Sequence, residues 1–175
     1  ELKEAGVIKQ SFSQWASPIV PVRKKDGEIR MCIDYRKLND VTVKDSYPFP
    51  KAQEQYDKLR DTKYFTVIDA NKGYMQIQME EGDAEKTAFV IEDGLYEYTR
   101  LPFGLTNAPA TFQRLMNTVL VDVQHCAVYM DDILISSKTF EEHLKDIANV
   151  LQRLRKARIK IKPTKCKWAE PSALF

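Results

Sequence analysis

The sequence predicts an α+β fold in which an antiparallel sheet is backed by helices. Three observations predict it. Short runs rich in β-branched and aromatic residues are separated by turn signals. From Tyr64 onward the expected order is strand, hairpin, helix, hairpin, helix, strand. Both helical stretches repeat apolar residues every three or four positions, as helices that cover a sheet do.

Composition limits the class of protein. The 175 residues suffice for one domain or for two small subdomains around a shared core, and 43% hydrophobic content is ordinary. No apolar run approaches the roughly 18 residues of a membrane span, and no signal-peptide pattern opens the sequence. Cys32, Cys126 and Cys166 are far apart, which argues against disulfides or a paired-cysteine zinc site and favours a reducing compartment. His125 and His143 are too few for a histidine-rich metal site.

Basic residues concentrate in two places, although the formal net charge is only +2. Residues 153–167 hold eight Lys or Arg side chains and no acidic one, and residues 23–25 form a second cluster. Such clusters can contact phosphates, but they can also be solvated faces or complement a helix C-terminus. The charge pattern therefore permits a nucleic-acid partner and does not require one.

The first predicted hairpin carries basic side chains. An edge strand is expected at Ile19–Val22, and an Asp-Gly turn leads to a return strand at Ile29–Tyr35. Arg23, Lys24 and Arg30 could gather near this hairpin. Arg suits bidentate phosphate contacts and Lys acts as a point charge, so the hairpin is a candidate phosphate site.

The other elements are predicted from periodicity and turn chemistry. In order they are a helix at 1–10, a hinge at 40–50, a surface helix at 51–59, a hairpin of 87–91 with 96–101, a helix capped by Thr106 or Asn107, a capping-box helix at 139–157 and a strand at 159–161. The predicted core stripes are Phe112, Leu115, Met116, Val119 and Leu120 on the first long helix, and Phe140, Leu144, Ile147, Leu151 and Leu154 on the second.

Three carboxylates lie at strongly β-prone runs. Asp69 ends the strand Tyr64–Asp69, and Asp131 and Asp132 interrupt Cys126–Ile135, which predicts a hairpin with both acids in its turn. A solvated Asp-Asp turn is one explanation, and a bound cation that compensates the charge is the other. In an antiparallel sheet the three acids can lie side by side. Without histidine or thiolate they suit Mg²⁺ or Mn²⁺, and two such ions could support phosphoryl transfer.

A tight turn follows Asp69. Its residues Ala70–Tyr74 could direct backbone N–H groups at an anion. By itself Tyr74 is expected to be a half-buried aromatic side chain on the sheet.

The segment Tyr129–Asp132 resembles the Y-x-D-D box of reverse transcriptases. Further matching blocks are Trp15–Val20, Arg30–Asn39, Tyr64–Asp69, Gly73–Ile77, Lys86–Phe89 and Leu101–Gln113. Their order and spacing, over nearly the whole chain, resemble the polymerase of gypsy-type long-terminal-repeat retrotransposons. The resemblance implies one reverse transcriptase domain over 1–175 with right-hand architecture. The approximate fingers are 1–43 and 77–107, and the approximate palm is 44–76 and 108–175.

The resemblance also implies roles for single residues. Asp69, Asp131 and Asp132 would be the catalytic acids that hold two Mg²⁺ ions, with Mn²⁺ as a substitute. The incoming dNTP would meet Lys24, Arg30, the backbone N–H groups of Lys72 and Gly73, and Tyr74, which would lie under the sugar and reject a ribose 2′-OH. The template and primer would meet Arg36, Phe103, Pro109 and Met130. Phe103 stands where retroviral enzymes carry glutamine, so we expect no nucleotide hydrogen bond from that side chain.

The implied function is RNA-directed DNA polymerisation, with nucleotidyl transfer from a dNTP to a primer 3′-OH on an RNA or DNA template. Expected partners are the rest of a Pol polyprotein, comprising thumb, RNase H, protease and integrase, and no membrane. The expected location is intracellular and cytoplasmic, including virus-like particles. The sequence stops where the family's primer-grip hairpin should begin, so we expect no thumb within it. The alternatives are a degenerate or domesticated fragment that binds nucleic acid without polymerising, and a nuclease that uses the same acids.

Overall fold

The computed structural model describes residues 2–23, 27, 29–49, 61–130 and 132–171, with Ile29 and Arg30 described as backbone only. The strands are β1 Ile8–Gln10, β2 Ile19–Arg23, β3 Ile29–Ile33, β4 Tyr64–Asp69, β5 Phe89–Ile91, β6 Gly94–Tyr98, β7 Cys126–Tyr129, β8 Asp132–Ser137 and β9 Lys167–Glu170. The α-helices are α1 Arg36–Val41, α2 Glu81–Ala84, α3 Ala108–Val119 and α4 Phe140–Lys156. Short 3₁₀ turns occupy Gly73–Gln76, Glu85–Thr87 and Pro163–Lys165. Among these described helices, none has the length and apolarity to cross a membrane.

The strands pair antiparallel in three sheets. Their orders are β1-β6-β5, β2-β3 and β7-β8-β4-β9. Helices and antiparallel sheets together make the predicted α+β class.

The chain divides into two compact units. The first unit is Glu1–Asp45 with Tyr74–Ala108, and the second unit is Ser46–Gly73 with Pro109–Phe175. The predicted boundaries after residues 43, 76 and 107 lie two, three and one residues from the observed ones after 45, 73 and 108. Equating the units with fingers and palm stays a prediction.

In the first unit, the predicted helix at 1–10 was wrong, because the described residues form turns at 2–6 and a strand at 8–10. Residues 8–10 form β1 and pair with β6, with Ile8 opposite Tyr98. A helix of this length is marginal in water, whereas the edge of β6 offers backbone partners.

The β2–β3 hairpin is confirmed, and Val22 lies opposite Arg30. Residues 24–26 and 28 of its turn lie outside the described residues. The predicted surface helix at 51–59 lies outside them as well.

The core of the first unit includes Tyr35, of which 2% is exposed. Its hydroxyl donates to the carbonyl of Thr87 at 2.9 Å, and burial raises the pKa of the phenol well above its usual value. The predicted hairpin is confirmed as β5 and β6, but its loop has two residues instead of four, because Ile91 pairs with Gly94. Gly94 has a φ of +131°, a conformation that glycine adopts without a Cβ penalty.

In the second unit, β4 pairs with β8 along its full length, from Tyr64 opposite Ser137 to Asp69 opposite Asp132. On its other side β4 pairs with β9, which the sequence did not predict. The predicted strand at 159–161 is reduced to a single bridge between Ala70 and Ile161. Pro163 begins a 3₁₀ turn directly afterwards, so the pairing cannot extend there.

Both long helices belong largely to the second unit, and α3 buries its predicted stripe through Phe112 and Met116, which are fully buried. On α4 the predicted stripe is partly wrong. Leu144 is 52% exposed, whereas His143 is fully buried. The polar network around that histidine, described below, explains the rotation of the helix.

The N-terminus of α4 has half of the predicted capping box. Thr139 Oγ1 accepts from the N–H of Glu142 at 3.2 Å. The carboxylate of Glu142 accepts from the N–H of Lys138 instead of that of Thr139.

Candidate active site

The site is built where β4 and β8 end side by side. Asp69 is the last residue of β4 and Asp132 the first of β8, and the two are direct partners in the ladder. Directly opposed residues project to the same face of a sheet, with Cβ atoms about 4.5–5.5 Å apart. The structure therefore brings two of the three predicted acids together. Asp132 lies on the strand, which corrects its predicted turn position, and Asp131 lies outside the described residues.

Two opposed carboxylates repel each other unless a positive charge compensates them. Lys165 supplies one such charge, because its Nζ lies 3.5 Å from Oδ2 of Asp69. The Asp69 side chain is 23% exposed, so the pair is reached by solvent. A solvent-accessible, all-oxygen donor set of this kind fits a hard divalent cation such as Mg²⁺.

The segment that carries Lys165 runs beside the acid-bearing strand. The N–H of Lys162 donates to the carbonyl of Asp69 at 2.9 Å, and the N–H of Asn71 donates to the carbonyl of Lys160 at 3.0 Å. Sequence reasoning found this basic cluster but gave Lys165 no place at the acids. Arg153, in the same cluster, instead donates to the carbonyl of Val121 at 3.0 Å. The basic cluster therefore has two kinds of contact. Lys165 lies beside Asp69, whereas Arg153 of α4 hydrogen-bonds the backbone that follows α3.

The turn after Asp69 has little room. Lys72 has a φ of +49°, and Gly73 is buried against α3. A Cβ on Gly73 would lie 2.9 Å from Cζ of Phe112, closer than carbon atoms normally approach. Glycine is therefore required here by close contact. Anion binding by the N–H groups of Lys72 and Gly73 stays a prediction.

The turn between β7 and β8 is held by a side chain that the sequence did not single out. Tyr129 pairs with Asp132, and Met130, between them, has a φ of +52°. The amide of Gln113 contacts this turn from α3, and its Oε1 accepts from the N–H of Met130 at 3.0 Å. Gln113 belongs to the Leu101–Gln113 block, which was its only signal in the sequence.

In the first unit, Tyr74 is more buried than predicted, with 8% of it exposed. Its ring centroid lies 4.9 Å from that of Phe103, with the planes at 48°. Arg36 and Asp34 form a bidentate ion pair with a shortest N–O distance of 2.6 Å, which holds the pKa of Asp34 at about 2. The predicted nucleotide, template and primer contacts of Tyr74, Phe103 and Arg36 stay predictions.

Four further residues have predicted roles. Pro109 lies in the first turn of α3, as predicted, and its contact with the template strand stays a prediction. Lys24 and the side chain of Arg30 lie outside the described residues. The primer contact of Met130 also stays a prediction.

The other end of the β4–β8 ladder is a buried polar network. His143 accepts or donates through both ring nitrogens, with Nε2 2.8 Å from Thr66 Oγ1 and Nδ1 2.8 Å from Ser137 Oγ. Ser137 donates to Oδ2 of Asp146 at 2.8 Å, so Nδ1 of His143 must carry the proton. Thr66 Oγ1 accepts from the N–H of Ala169 and donates to the imidazole. The neutral ring satisfies every member, and burial lowers the pKa of His143.

A group of titratable side chains adjoins this network. The ligand atoms of His125, Glu142 and Asp146 lie within 4.8 Å of one another. Nδ1 of His125 is 3.1 Å from Oδ2 of Asp146 and 3.6 Å from Oε1 of Glu142. These are hydrogen-bond and ion-pair distances between partly exposed side chains, and they account for the group without a metal.

Comparison with known proteins gives consistent matches. The family described as reverse transcriptase (RNA-dependent DNA polymerase) matches residues 22–175. The chain is 45% identical to the retrovirus-related Pol polyprotein from transposon 297 of Drosophila melanogaster, over all of this chain and 17% of that protein. It is 37% identical to the transposon Tf2-3 polyprotein of Schizosaccharomyces pombe, over 98% of this chain and 13% of that one. The chain thus spans between 13% and 17% of the length of these curated relatives.

Solved structures of a viral reverse transcriptase have the same fold as this chain. The foamy viral protease-reverse transcriptase in complex with double-stranded DNA superimposes with a TM-score of 0.92 at 30% identity, over 99% of this chain and 31% of that chain. The same viral protein in complex with an RNA/DNA hybrid gives a TM-score of 0.88 at 30% identity, over 95% and 22%. The predicted polymerase fold is confirmed. With its paired acids at one sheet end and a family match over residues 22–175, this chain belongs to the reverse transcriptase (RNA-dependent DNA polymerase) family.

Proposed function

We propose that the protein containing this chain is an RNA-directed DNA polymerase. The observation that carries the proposal is the in-register pair of Asp69 and Asp132, with Lys165 at 3.5 Å from Asp69. Two directly opposed carboxylates destabilise a sheet. Binding of the metal ions that phosphoryl transfer requires would explain why both are present.

Asp69, Asp131 and Asp132 would hold two Mg²⁺ ions, with Mn²⁺ as a substitute. When bound, such ions activate a primer hydroxyl and stabilise the leaving oxygen of the triphosphate. The protein itself orients the acids through the β4–β8 register and keeps their charge partly balanced through Lys165. Positioning of this kind supplies much of the rate in phosphoryl transfer.

The proposed substrates follow from the family match. We propose dNTPs as the nucleotide, contacted by Lys24, Arg30, Lys72, Gly73 and Tyr74, with Tyr74 rejecting a ribose 2′-OH. The template would be RNA or DNA carrying a primer, supported by the viral relative that was solved with double-stranded DNA and with an RNA/DNA hybrid. The proposed partners are the thumb, RNase H, protease and integrase regions of a Pol polyprotein. The proposed location is the cytoplasm, including virus-like particles.

Primer extension on an RNA template tests the proposal in the full-length protein. Extension should require Mg²⁺ or Mn²⁺, and Asp131→Asn should lower its rate by about 10²–10³-fold or more. Asp93→Asn, in the exposed loop of the β5–β6 hairpin, is the matched control and should extend normally. Equal activity after Asp131→Ala would contradict the catalytic assignment. Duplex binding without any extension would favour the degenerate or domesticated alternative, and cleavage without added nucleotides would favour a nuclease.

Tyr74 tests the nucleotide assignment separately. Tyr74→Ala should increase ribonucleotide incorporation relative to wild type, and Tyr98→Ala, a buried tyrosine on β6, should not. If neither variant changes sugar selection, Tyr74 is a packing residue.

A further inference from the structure

The feature that the proposed chemistry does not use is the buried amide of Gln113. This residue of α3 is fully buried. Its Oε1 accepts from the N–H of Met130 at 3.0 Å, and its Nε2 donates to the carbonyl of Val128 at 3.1 Å. One side chain therefore contacts the backbone of β7, at Val128, and the turn that follows it, at Met130.

These two backbone groups need an outside partner. β7 is the outer strand of its sheet, so part of its backbone faces away from β8. Met130 adds a left-handed conformation, with a φ of +52°, which residues other than glycine seldom adopt. Such a conformation persists only where the surrounding structure holds it. Gln113 is the described side chain whose hydrogen bonds reach it.

The amide has one orientation that satisfies all of its neighbours. Nε2 also donates to Oδ1 of Asn117 at 3.0 Å, and Nδ2 of Asn117 donates to the hydroxyl of Tyr47 at 2.9 Å. Reversing the amide would set a donor against the N–H of Met130 and an acceptor against the carbonyl of Val128. The network thus fixes the acceptor of Gln113 on the turn.

The neighbouring residue of α3 contacts the turn that follows the other acid-bearing strand, β4. Phe112 is fully buried and packs against Gly73, four residues after Asp69. Consecutive residues of one helix therefore touch the turn that follows Asp69 and the turn that precedes Asp132. This arrangement makes α3 a common support for both strand ends.

We propose that Gln113 is a positioning residue for catalysis. Its amide fixes the backbone of Met130 and thereby sets where β8 begins, at Asp132. The proposal rests on the proposed polymerase function, because only that function gives the position of this acid a catalytic meaning. A displacement of about 1 Å at such a site can cost about 100-fold in rate.

Two substitutions at Gln113 separate positioning from packing. Gln113→Met keeps the approximate volume and loses both hydrogen bonds. Gln113→Glu keeps the volume and an acceptor for Met130, and only when protonated does it also offer a donor to Val128. Gln152→Met, on the exposed face of α4, is the matched control.

Single-turnover primer extension by the full-length protein is the first measurement. Gln113→Met should lower the maximal rate by about 100-fold, while the dNTP concentration for half-maximal rate changes by less than roughly threefold. The rate of Gln113→Glu relative to wild type should rise as the pH falls from about 8 to about 6, since a buried carboxyl has a raised pKa. The relative rate of Gln113→Met should not change with pH, and Gln152→Met should behave as wild type.

Two measurements without catalysis make failure of the function distinguishable from failure of this proposal. Hydrogen exchange of the Met130 amide should accelerate by about tenfold or more in Gln113→Met, because the amide loses its acceptor. Mn²⁺ affinity, followed by electron paramagnetic resonance, should fall in the same variant. An inactive wild type that still shows both changes would overturn only the polymerase function. Unchanged exchange and Mn²⁺ affinity, or a rate loss matched by equal losses of thermal stability and duplex binding, would overturn the positioning role.

Discussion

The two ends of the β4–β8 ladder handle polar groups in opposite ways. At one end, Asp69 and Asp132 are opposed like charges near solvent, with Lys165 beside them. At the other end, Thr66, Ser137 and His143 are fully buried and mutually satisfied, and they remain neutral. Satisfied buried networks hold a fold together, whereas opposed charges weaken it. The buried end of β4 and β8 therefore stabilises the fold, whereas the paired acids at the other end lower its stability and serve the proposed function.

The largest effect is expected from a substitution at the acid end of the ladder, and it concerns the rate of primer extension. Asp132→Asn should lower primer extension by about 10²–10³-fold, because a metal-holding carboxylate becomes neutral. The free energy of unfolding should stay constant or rise by about 0.2–1 kcal/mol, since a like-charge pair is removed. Extension assays and denaturant titration of the same preparation check both parts. A large loss of stability would contradict the comparison.

The opposite pattern is expected at the buried end. His143→Leu should lower the free energy of unfolding by about 3 kcal/mol, because the hydroxyls of Thr66 and Ser137 lose their partner inside the core. Denaturant titration measures it, with Leu144→Ala on the exposed side of α4 as the control. Folded His143→Leu protein should extend primers at a nearly normal rate at low temperature. Loss of rate with stability intact would place a catalytic role at the buried end.

Gly73 lies in the turn next to the acid end of the ladder, and its substitution tests how tightly that turn is packed. Gly73→Ala should destabilise by about 2 kcal/mol, because its Cβ would overlap Phe112. Adding Phe112→Leu should recover part of that loss. Gly82→Ala, where no atom lies within 4 Å of the added Cβ, should be neutral or slightly stabilising. Thermal unfolding of the four proteins decides whether close contact or backbone conformation requires glycine at position 73.

The smallest expected effect is a pH dependence at the buried end. The folded-state pKa of His143 is lowered by burial, while the neighbouring Asp146 opposes the shift. The unfolded chain therefore binds a proton first as the pH falls below about 6.5. Stability from this residue is complete above that pH and is lost as the pH falls through the folded pKa. His143→Gln should show a flatter stability profile from pH 7 to 5, and an identical slope would contradict the neutral network.

The sequence determined the α+β class, the β4 and β7–β8 strands, and the presence of Asp69 and Asp132 at strand ends, because alternation, turn chemistry and carboxylates at strand ends are local signals. Tertiary structure decided the partners. β9 forms by pairing with the edge of β4 that β8 leaves unpaired. α4 buries His143 because its ring hydrogen-bonds with the hydroxyls of Thr66 and Ser137. The contacts of Lys165 with Asp69 and of Gln113 with Met130 join positions 96 and 17 residues apart. No local pattern encodes such pairs, because only the folded chain brings them within hydrogen-bonding distance.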